Sequence, residues 1–99
     1  IDLARPVENI GKHGFTAEER SGFDTLLDAG LVDTFRELHP DQKDAYTWWT
    51  AWGGARARNV GWRIDYWLAS EAIKSNITEA RIHPDVMGSD HCPVSIKLK

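Results

Sequence analysis

Residues 62–70, WRIDYWLAS, alternate in a way that suits an extended chain. Successive side chains of a β-strand point to opposite faces of its sheet. The two faces here carry different side chains: Ile64, Tyr66 and Leu68 on one, and Arg63, Asp65 and Trp67 on the other. Because a strand must pair its backbone groups with neighbours, this segment predicts a sheet built from other parts of the chain.

Helices are predicted mainly in the first half of the chain and strands in the second. Thr16 and Glu19 form the pattern of a capping box, and Gly30 is a typical helix stop. A second helix is predicted from Val32 to Leu38, before His39-Pro40. The remaining predicted elements are strands at 45–52, 77–84 and 93–99, a short helix at 70–74, an exposed loop at 53–61 and an extended lead-in at 1–14.

These elements predict an α/β (α+β layered) fold with mostly antiparallel strands and flanking helices. Two main helices and four strands make an incomplete sandwich, which leaves a sheet edge open. The chain also begins at Ile1 and not at a methionine. We therefore expect a piece of a longer protein, whose open edge offers a route to self-association.

The net charge of −3 argues against the broad basic surface of a non-specific nucleic-acid binder. The stretch with Arg56, Arg58 and Arg63 nevertheless has no acid and lies among clustered tryptophans, which predicts a local binding site; an ordinary solvated loop is the alternative. A single cysteine, Cys92, excludes an internal disulfide and favours an intracellular location. No apolar run approaches the roughly 18 residues of a membrane span, so no membrane partner is expected.

Asp90 and His91 are adjacent in GSDHCPV (88–94), and Asp65 lies in the predicted strand at 62–70. A carboxylate in that strand must be exposed, paired or catalytic, because an isolated buried charge is too costly. An Asp–His pair orients the imidazole and stabilises its protonated form, and a neighbouring carboxylate suits a hard cation. Together they predict a site for phosphodiester hydrolysis; a turn capped by Asp90 is the alternative.

The other aromatic, histidine and cysteine side chains receive structural interpretations. We expect packing for Trp49, Trp67 and Cys92, and solvent exposure for His13, His39 and His83.

NVGWRIDYWLAS (59–70) and GSDHCPV (88–94) resemble, in order and spacing, the two C-terminal motifs of the exonuclease III family of apurinic/apyrimidinic endonucleases. Segments 14–23, 31–40 and 46–50 are similar to further parts of that family. The SDH-x-P pattern is shared with other phosphodiesterases of the superfamily, whereas NVGWRIDY narrows the match to DNA-repair nucleases. The resemblance implies that residues 1–99 are the C-terminal portion of a single endonuclease/exonuclease/phosphatase domain, part of a four-layer α/β sandwich.

The resemblance also implies roles for individual residues. His91 would polarise the scissile phosphate or help to activate water, Asp65 would orient His91, and Asp90 would lie in the metal site, which takes Mg²⁺ or Mn²⁺. The remaining matched positions would contact DNA: Trp48, Trp62 and Ile64 around a flipped-out abasic sugar, Trp52 against the duplex, and Arg58 and Asn59 at backbone phosphates. Gly53 and Gly54 depart from the bulkier residues that some relatives carry beside Trp52.

The family's metal-binding Glu, catalytic Tyr and Asp-x-Asn motif would precede Ile1, so the chain carries about half of the expected active site. One hypothesis is therefore a DNA-repair phosphodiesterase that incises duplex DNA 5′ to abasic sites, with 3′–5′ exonuclease activity, and that is inactive as this chain alone. The alternatives are a non-catalytic DNA-binding or dimerising fragment and another phosphodiesterase of the superfamily.

Overall fold

The computed structural model describes residues 2–3 and 9–99 of the chain. Its strands are β1 (Asp2–Leu3), β2 (Leu31–Asp33), β3 (Trp62–Arg63), β4 (Leu68–Ser70), β5 (Ile77–Ile82) and β6 (Val94–Leu98). Its helices in that part include α1 (Ala17–Asp28), α2 (Thr34–Leu38) and a 3₁₀ helix (Glu71–Asn76). The strands pair antiparallel as β1–β3, β2–β4 and β5–β6. The predicted α/β class with antiparallel strands and flanking helices is confirmed.

Helix α1 begins at the predicted capping box. The Glu19 amide donates to Thr16 Oγ1 over 3.1 Å, and Glu19 Oε1 accepts from the Gly14 amide and the Thr16 hydroxyl. The Thr16 hydrogen bond, followed by that from Gly14, lowers the pKa of the Glu19 carboxyl. Gly30, with φ of 99°, turns the chain just after the helix.

The second predicted helix, Val32 to Leu38, is too long by two residues. Val32 and Asp33 belong to β2, in which Val32 is buried opposite Ala69 of β4. Asp33 has an extended backbone and accepts a hydrogen bond from the Arg36 amide, so it is the N-cap of α2. The helix therefore begins after Asp33, and Val32 belongs to the strand that precedes it.

The predicted strands at 45–52 and 62–70 are wrong as continuous elements. In the first, Trp48 forms isolated bridges to Trp62 and His91. In the second, β3 ends at Arg63 because the buried Thr47 hydroxyl accepts the amides of Ile64 and Asp65, at 3.0 and 3.1 Å. A side chain thus takes the hydrogen bonds that a neighbouring strand would otherwise have taken.

The later elements follow the predictions more closely. The predicted helix at 70–74 is the 3₁₀ helix, and the strands at 77–84 and 93–99 correspond to β5 and β6. The core beside this hairpin contains Tyr46, Trp49, Ala55 and Cys92, with Val60 and Ile82 packed against it. No helix of the described part is long and apolar enough to cross a membrane.

Several single-residue expectations are settled by burial and contacts. Trp49 and Cys92 are buried as predicted, whereas Trp67 is 49% exposed and its indole donates to the Val94 carbonyl. His13 is exposed, but His39 and His83 are half-buried, with Nε2 near the Ala80 carbonyl and the Ser95 hydroxyl. Of the predicted extended lead-in, residues 1 and 4–8 lie outside the described residues, Asp2–Leu3 form β1, and residues 9–14 are mostly turns.

A buried ion pair joins the two halves of the chain. Arg63 of β3 is 3% exposed, and its guanidinium binds both carboxylate oxygens of Asp33, at 3.0 and 2.6 Å. The same guanidinium lies over the rings of Phe35 and Tyr66. Arg63 is therefore a structural residue and not a phosphate-contacting member of the arginine-rich segment.

We predict that Asp33→Asn lowers the free energy of unfolding by about 3–5 kcal/mol, because it leaves the buried Arg63 cation uncompensated. Asparagine keeps an oxygen that caps α2, so the variant isolates the charge. Urea denaturation followed by tryptophan fluorescence measures the loss. The control is Glu79→Gln, which removes the charge of an exposed pair with Arg81 and should cost less than about 1 kcal/mol. Equal losses in both variants would contradict the assignment.

Candidate active site

The predicted contact between Asp65 and His91 is present. His91 Nδ1 lies 2.8 Å from Asp65 Oδ2, although 26 positions separate the two residues in the chain. Because a carboxylate oxygen accepts, the contact assigns a proton to Nδ1 and leaves Nε2 for a substrate. The side chain of His91 is 43% exposed and that of Asp65 is 35% exposed, so the pair lies at the surface, where a substrate can reach it.

Asp90 lies beside this pair and is held by its neighbours. The Trp48 indole donates to Asp90 Oδ2 over 3.0 Å, and the Ser89 hydroxyl lies 3.4 Å from Oδ1. The Trp48 hydrogen bond is the main cause of the lowered pKa of the Asp90 carboxyl. The Asp90 carboxyl group is exposed and, with a pKa below its ordinary value, negatively charged at neutral pH.

The site has an aromatic wall. The rings of Trp48 and Trp62 meet edge to face with centroids 6.2 Å apart, and Trp48 lies 6.5 Å from the His91 ring. Phe15 packs on the other side of Trp62, also at 6.2 Å. A side chain at Gly14 would lie 2.7 Å from the Trp62 ring, so glycine is needed at this close approach. Trp48 therefore lies next to His91, and Trp62 packs against Trp48; a pocket for an abasic sugar between the two tryptophans stays a prediction.

In the arginine-rich loop, some side chains make structural hydrogen bonds and others are exposed to solvent. Asn59 accepts from the Trp49 indole and donates to the Asp44 carbonyl, at 3.0 and 2.8 Å. Arg58 is exposed and donates to the Gly53 carbonyl. Of the three arginines, Arg58 retains the most exposed position, so its phosphate contact and that of Asn59 stay predictions.

Two further predicted DNA-contacting residues, Ile64 and Trp52, are exposed at the surface. Ile64 is 36% exposed and follows Trp62 by two residues. Trp52 is 79% exposed, an unusual state for so large an apolar ring. A ring exposed to this degree contributes little to the core, and the contact of Trp52 with DNA stays a prediction.

Asp90 is the group of this site best suited to a hard cation. Its carboxylate is exposed and has oxygen lone pairs beyond those that accept from Trp48 and Ser89. Within residues 2–3 and 9–99, no three His, Cys, Asp or Glu side chains converge as a metal site. The described residues therefore fit one ligand of a cation and not a complete ligand set.

Two residues hold the site in ways that the sequence does not predict: Thr47 has no predicted role, and Arg56 is interpreted as part of a local binding site. Thr47 is fully buried and binds the amide of Asp65, while Arg56 donates to carbonyls of the segment before Asp90. Neither has a local sequence signal, because their partners lie between 18 and 33 positions away.

Comparisons with known proteins identify the family of the chain. Residues 6–91 match the model of the Endonuclease/Exonuclease/phosphatase family. The chain is 52% identical over 96 residues to an exodeoxyribonuclease of Bacillus subtilis, covering 97% of the chain and 38% of that protein. It is 51% identical over 98 residues to the DNA repair nuclease APEX1 of Danio rerio, covering 99% of the chain and 32% of that protein.

Solved structures give the same result for the fold. An AP endonuclease from Archaeoglobus fulgidus aligns with a TM-score of 0.86 at 26% identity, covering 98% of the chain and 39% of that structure. The AP endonuclease from Leishmania major aligns with a TM-score of 0.79 at 40% identity, covering 84% of the chain and 25% of that structure. The chain thus spans about a third of the curated relatives that it matches. With most of its length matched by the family model, it belongs to the Endonuclease/Exonuclease/phosphatase family.

Proposed function

We propose that this chain supplies the His–Asp part of the active site of a DNA-repair phosphodiesterase. The enzyme incises duplex DNA 5′ to abasic sites and has 3′–5′ exonuclease activity. The observation that carries the proposal is the 2.8 Å contact between Asp65 and His91, with the Asp90 carboxylate adjacent. Relatives named exodeoxyribonuclease and DNA repair nuclease, and neighbours named AP endonuclease, support this substrate class.

In the proposed reaction, His91 acts through Nε2. Asp65 holds the opposite nitrogen, Nδ1, so the ring presents Nε2 to the substrate. With a proton, Nε2 would donate to a non-bridging oxygen of the scissile phosphate; without one, it would accept a proton from the attacking water. Asp65 also stabilises the imidazolium that forms when His91 takes or shares a proton. Water attacks phosphorus in line, the P–O3′ bond breaks, and the products are a 3′-hydroxyl and a 5′-phosphate.

Asp90 would hold a divalent cation, Mg²⁺ or Mn²⁺, together with carboxylates from outside this chain. Such a cation neutralises charge on the phosphate oxygens when it is bound. The Trp48 indole keeps the Asp90 side chain oriented and lowers its pKa, which preserves a negative oxygen for that purpose.

The aromatic wall supports recognition of the lesion. Trp48 lies beside His91 and packs edge to face on Trp62, and we infer that an extruded abasic sugar would lie against these rings and Ile64. Extrusion is cheap at such a site because no base is stacked there. Trp52, which is exposed at the surface, would contact the duplex. A role in DNA repair would require an intracellular location.

A non-catalytic fragment is the second candidate, favoured by the incomplete set of metal ligands. Strand β5 pairs with β6 in a two-stranded ladder within the described residues, so the hairpin offers an edge for a second copy or for the rest of a larger protein. Activity in a full-length protein distinguishes the two candidates.

We predict that residues 1–99 alone do not incise a labelled duplex with one abasic site in Mg²⁺, because residues of a catalytic unit are strongly non-additive. A chimera in which this chain replaces the matching segment of the Bacillus subtilis relative should incise the duplex. Addition of EDTA should stop this incision. EDTA-sensitive cutting by the 99-residue chain would contradict the first expectation. A folded chimera without activity would overturn the proposed function.

In that chimera, we expect Asp65→Asn to lower kcat/KM by about 10²–10⁴-fold, because asparagine keeps the ring near its position but does not stabilise the imidazolium. Steady-state incision measures the effect. The matched control is His13→Gln, which changes an exposed histidine and should leave kcat/KM unchanged. A loss of less than threefold in Asp65→Asn would remove the pair from the chemistry.

Trp52→Ala should weaken binding of an abasic duplex by about 1.5–3 kcal/mol, the range for burying a large apolar side chain. The melting temperature should stay within 2 °C of the parent chimera, since an exposed ring adds little to the core. Fluorescence anisotropy gives Kd. Leu98→Ala, another exposed apolar residue at the end of β6, is the control and should bind normally. Unchanged Kd in Trp52→Ala would exclude Trp52 from the interface.

A further inference from the structure

Arg56 makes contacts that the proposed chemistry does not use. Its guanidinium donates to three backbone carbonyls of one segment: Nη2 to Pro84 and Val86, at 2.8 and 3.0 Å, and Nη1 to Ser89, at 2.9 Å. That segment, Pro84–Ser89, runs directly into Asp90 and His91. Arg56 itself lies 28 to 33 positions earlier, in the arginine-rich loop.

The segment Pro84–Ser89 has few other means of holding its shape. All six of its residues are exposed, including Val86 and Met87 at 50% and 71%, so burial of apolar surface contributes little. Within it, the Val86 amide bonds back to the His83 carbonyl and closes one turn. A segment of this kind opens easily unless side chains from elsewhere bind its carbonyls.

Arg56, in contrast, is held by contact with a buried tryptophan ring. Its guanidinium lies 4.6 Å from the centre of the Trp49 ring, and Trp49 is 3% exposed. The Trp49 indole is in turn bonded to Asn59, whose amide closes the loop onto the Arg56 carbonyl. A planar guanidinium stacked on a buried ring loses little further freedom when it binds several acceptors.

We propose that Arg56 is a positioning residue for the Asp90–His91 pair. By holding the carbonyls of Pro84, Val86 and Ser89, it fixes the entry of the chain into Asp90 and keeps His91 Nδ1 within reach of Asp65. It acts through the loop and does not contact the substrate. The inference rests on the proposed function, because it assigns Arg56 to the same reaction.

A positioning role and a phosphate-binding role of Arg56 predict changes in different kinetic constants. Three backbone carbonyls already occupy the two terminal nitrogens of Arg56, so its charge faces the loop. Loss of a phosphate contact would raise KM and Kd. Loss of the loop contacts should instead lower kcat, because a displacement of about 1 Å in a reacting group costs on the order of 10²-fold in rate.

The test uses the full-length chimera with two variants. Arg56→Met keeps an unbranched side chain beside Trp49 but removes the donors, and Arg56→Lys restores part of them. Arg81→Met is the control, since Arg81 is an exposed arginine with an ion pair to Glu79. Steady-state incision gives kcat and KM, anisotropy gives Kd for an uncleaved duplex, and hydrogen exchange reports the amides of residues 85–91. Thermal melting monitors folding.

For Arg56→Met we expect exchange in residues 85–91 to rise at least tenfold and kcat to fall by about 10–100-fold, with KM and Kd within threefold of the parent. Arg56→Lys should recover part of both effects, and Arg81→Met should match the parent. Unchanged kcat, or a rise in Kd with kcat preserved, would overturn the inference while leaving the proposed function intact. An inactive parent chimera would overturn the proposed function and this inference together.

Discussion

Asp65 and His91 meet because both of their segments bond to the same short stretch, residues 47–49. The Trp48 amide and carbonyl bond to the backbone of Trp62, and the Thr47 hydroxyl accepts the Asp65 amide. On the opposite side, the Trp49 amide donates to the Asp90 carbonyl and the Cys92 amide donates to the Thr47 carbonyl. The site therefore depends on one central backbone segment with a partner on each flank.

That central segment also explains the irregular strands around it. A regular ladder uses every second residue of each strand, but here the Thr47 side chain takes two consecutive amides and ends β3 early. The interruption places residues 64–67 between β3 and β4, outside both strands, and Asp65 lies within it with its side chain half-exposed. Close packing supports the arrangement: a side chain at Gly61 would lie 2.5 Å from the Trp49 ring, so glycine is required there.

Charge is placed differently in the body of the fold and at the site. The Arg63–Asp33 pair is buried and bidentate, and it connects β3 to the cap of α2. Asp90 and Asp65 are both accessible. Asp90 accepts from the indole of Trp48, and Asp65 contacts the imidazole of His91, so neither carboxylate is bound to an arginine or lysine in these contacts. This leaves the Asp90 carboxylate without a competing ion pair among the described residues, which suits a role toward a cation or a phosphate ester.

The sequence alone determined the local elements and the identity of the candidate dyad. The capping box at Thr16 and Glu19, the β5–β6 hairpin and the α/β class follow from patterns a few residues long, and the resemblance in NVGWRIDY and GSDHCPV selected Asp65, Asp90 and His91. The tertiary structure decided where strands break and which arginine serves which purpose. Arg56, Arg58 and Arg63 look alike in sequence, yet one binds a loop, one faces solvent and one is buried on Asp33. Arg56 and Arg63 differ from Arg58 because their partners lie about 30 positions away. A local sequence pattern does not encode a contact that depends on the packing of the whole domain.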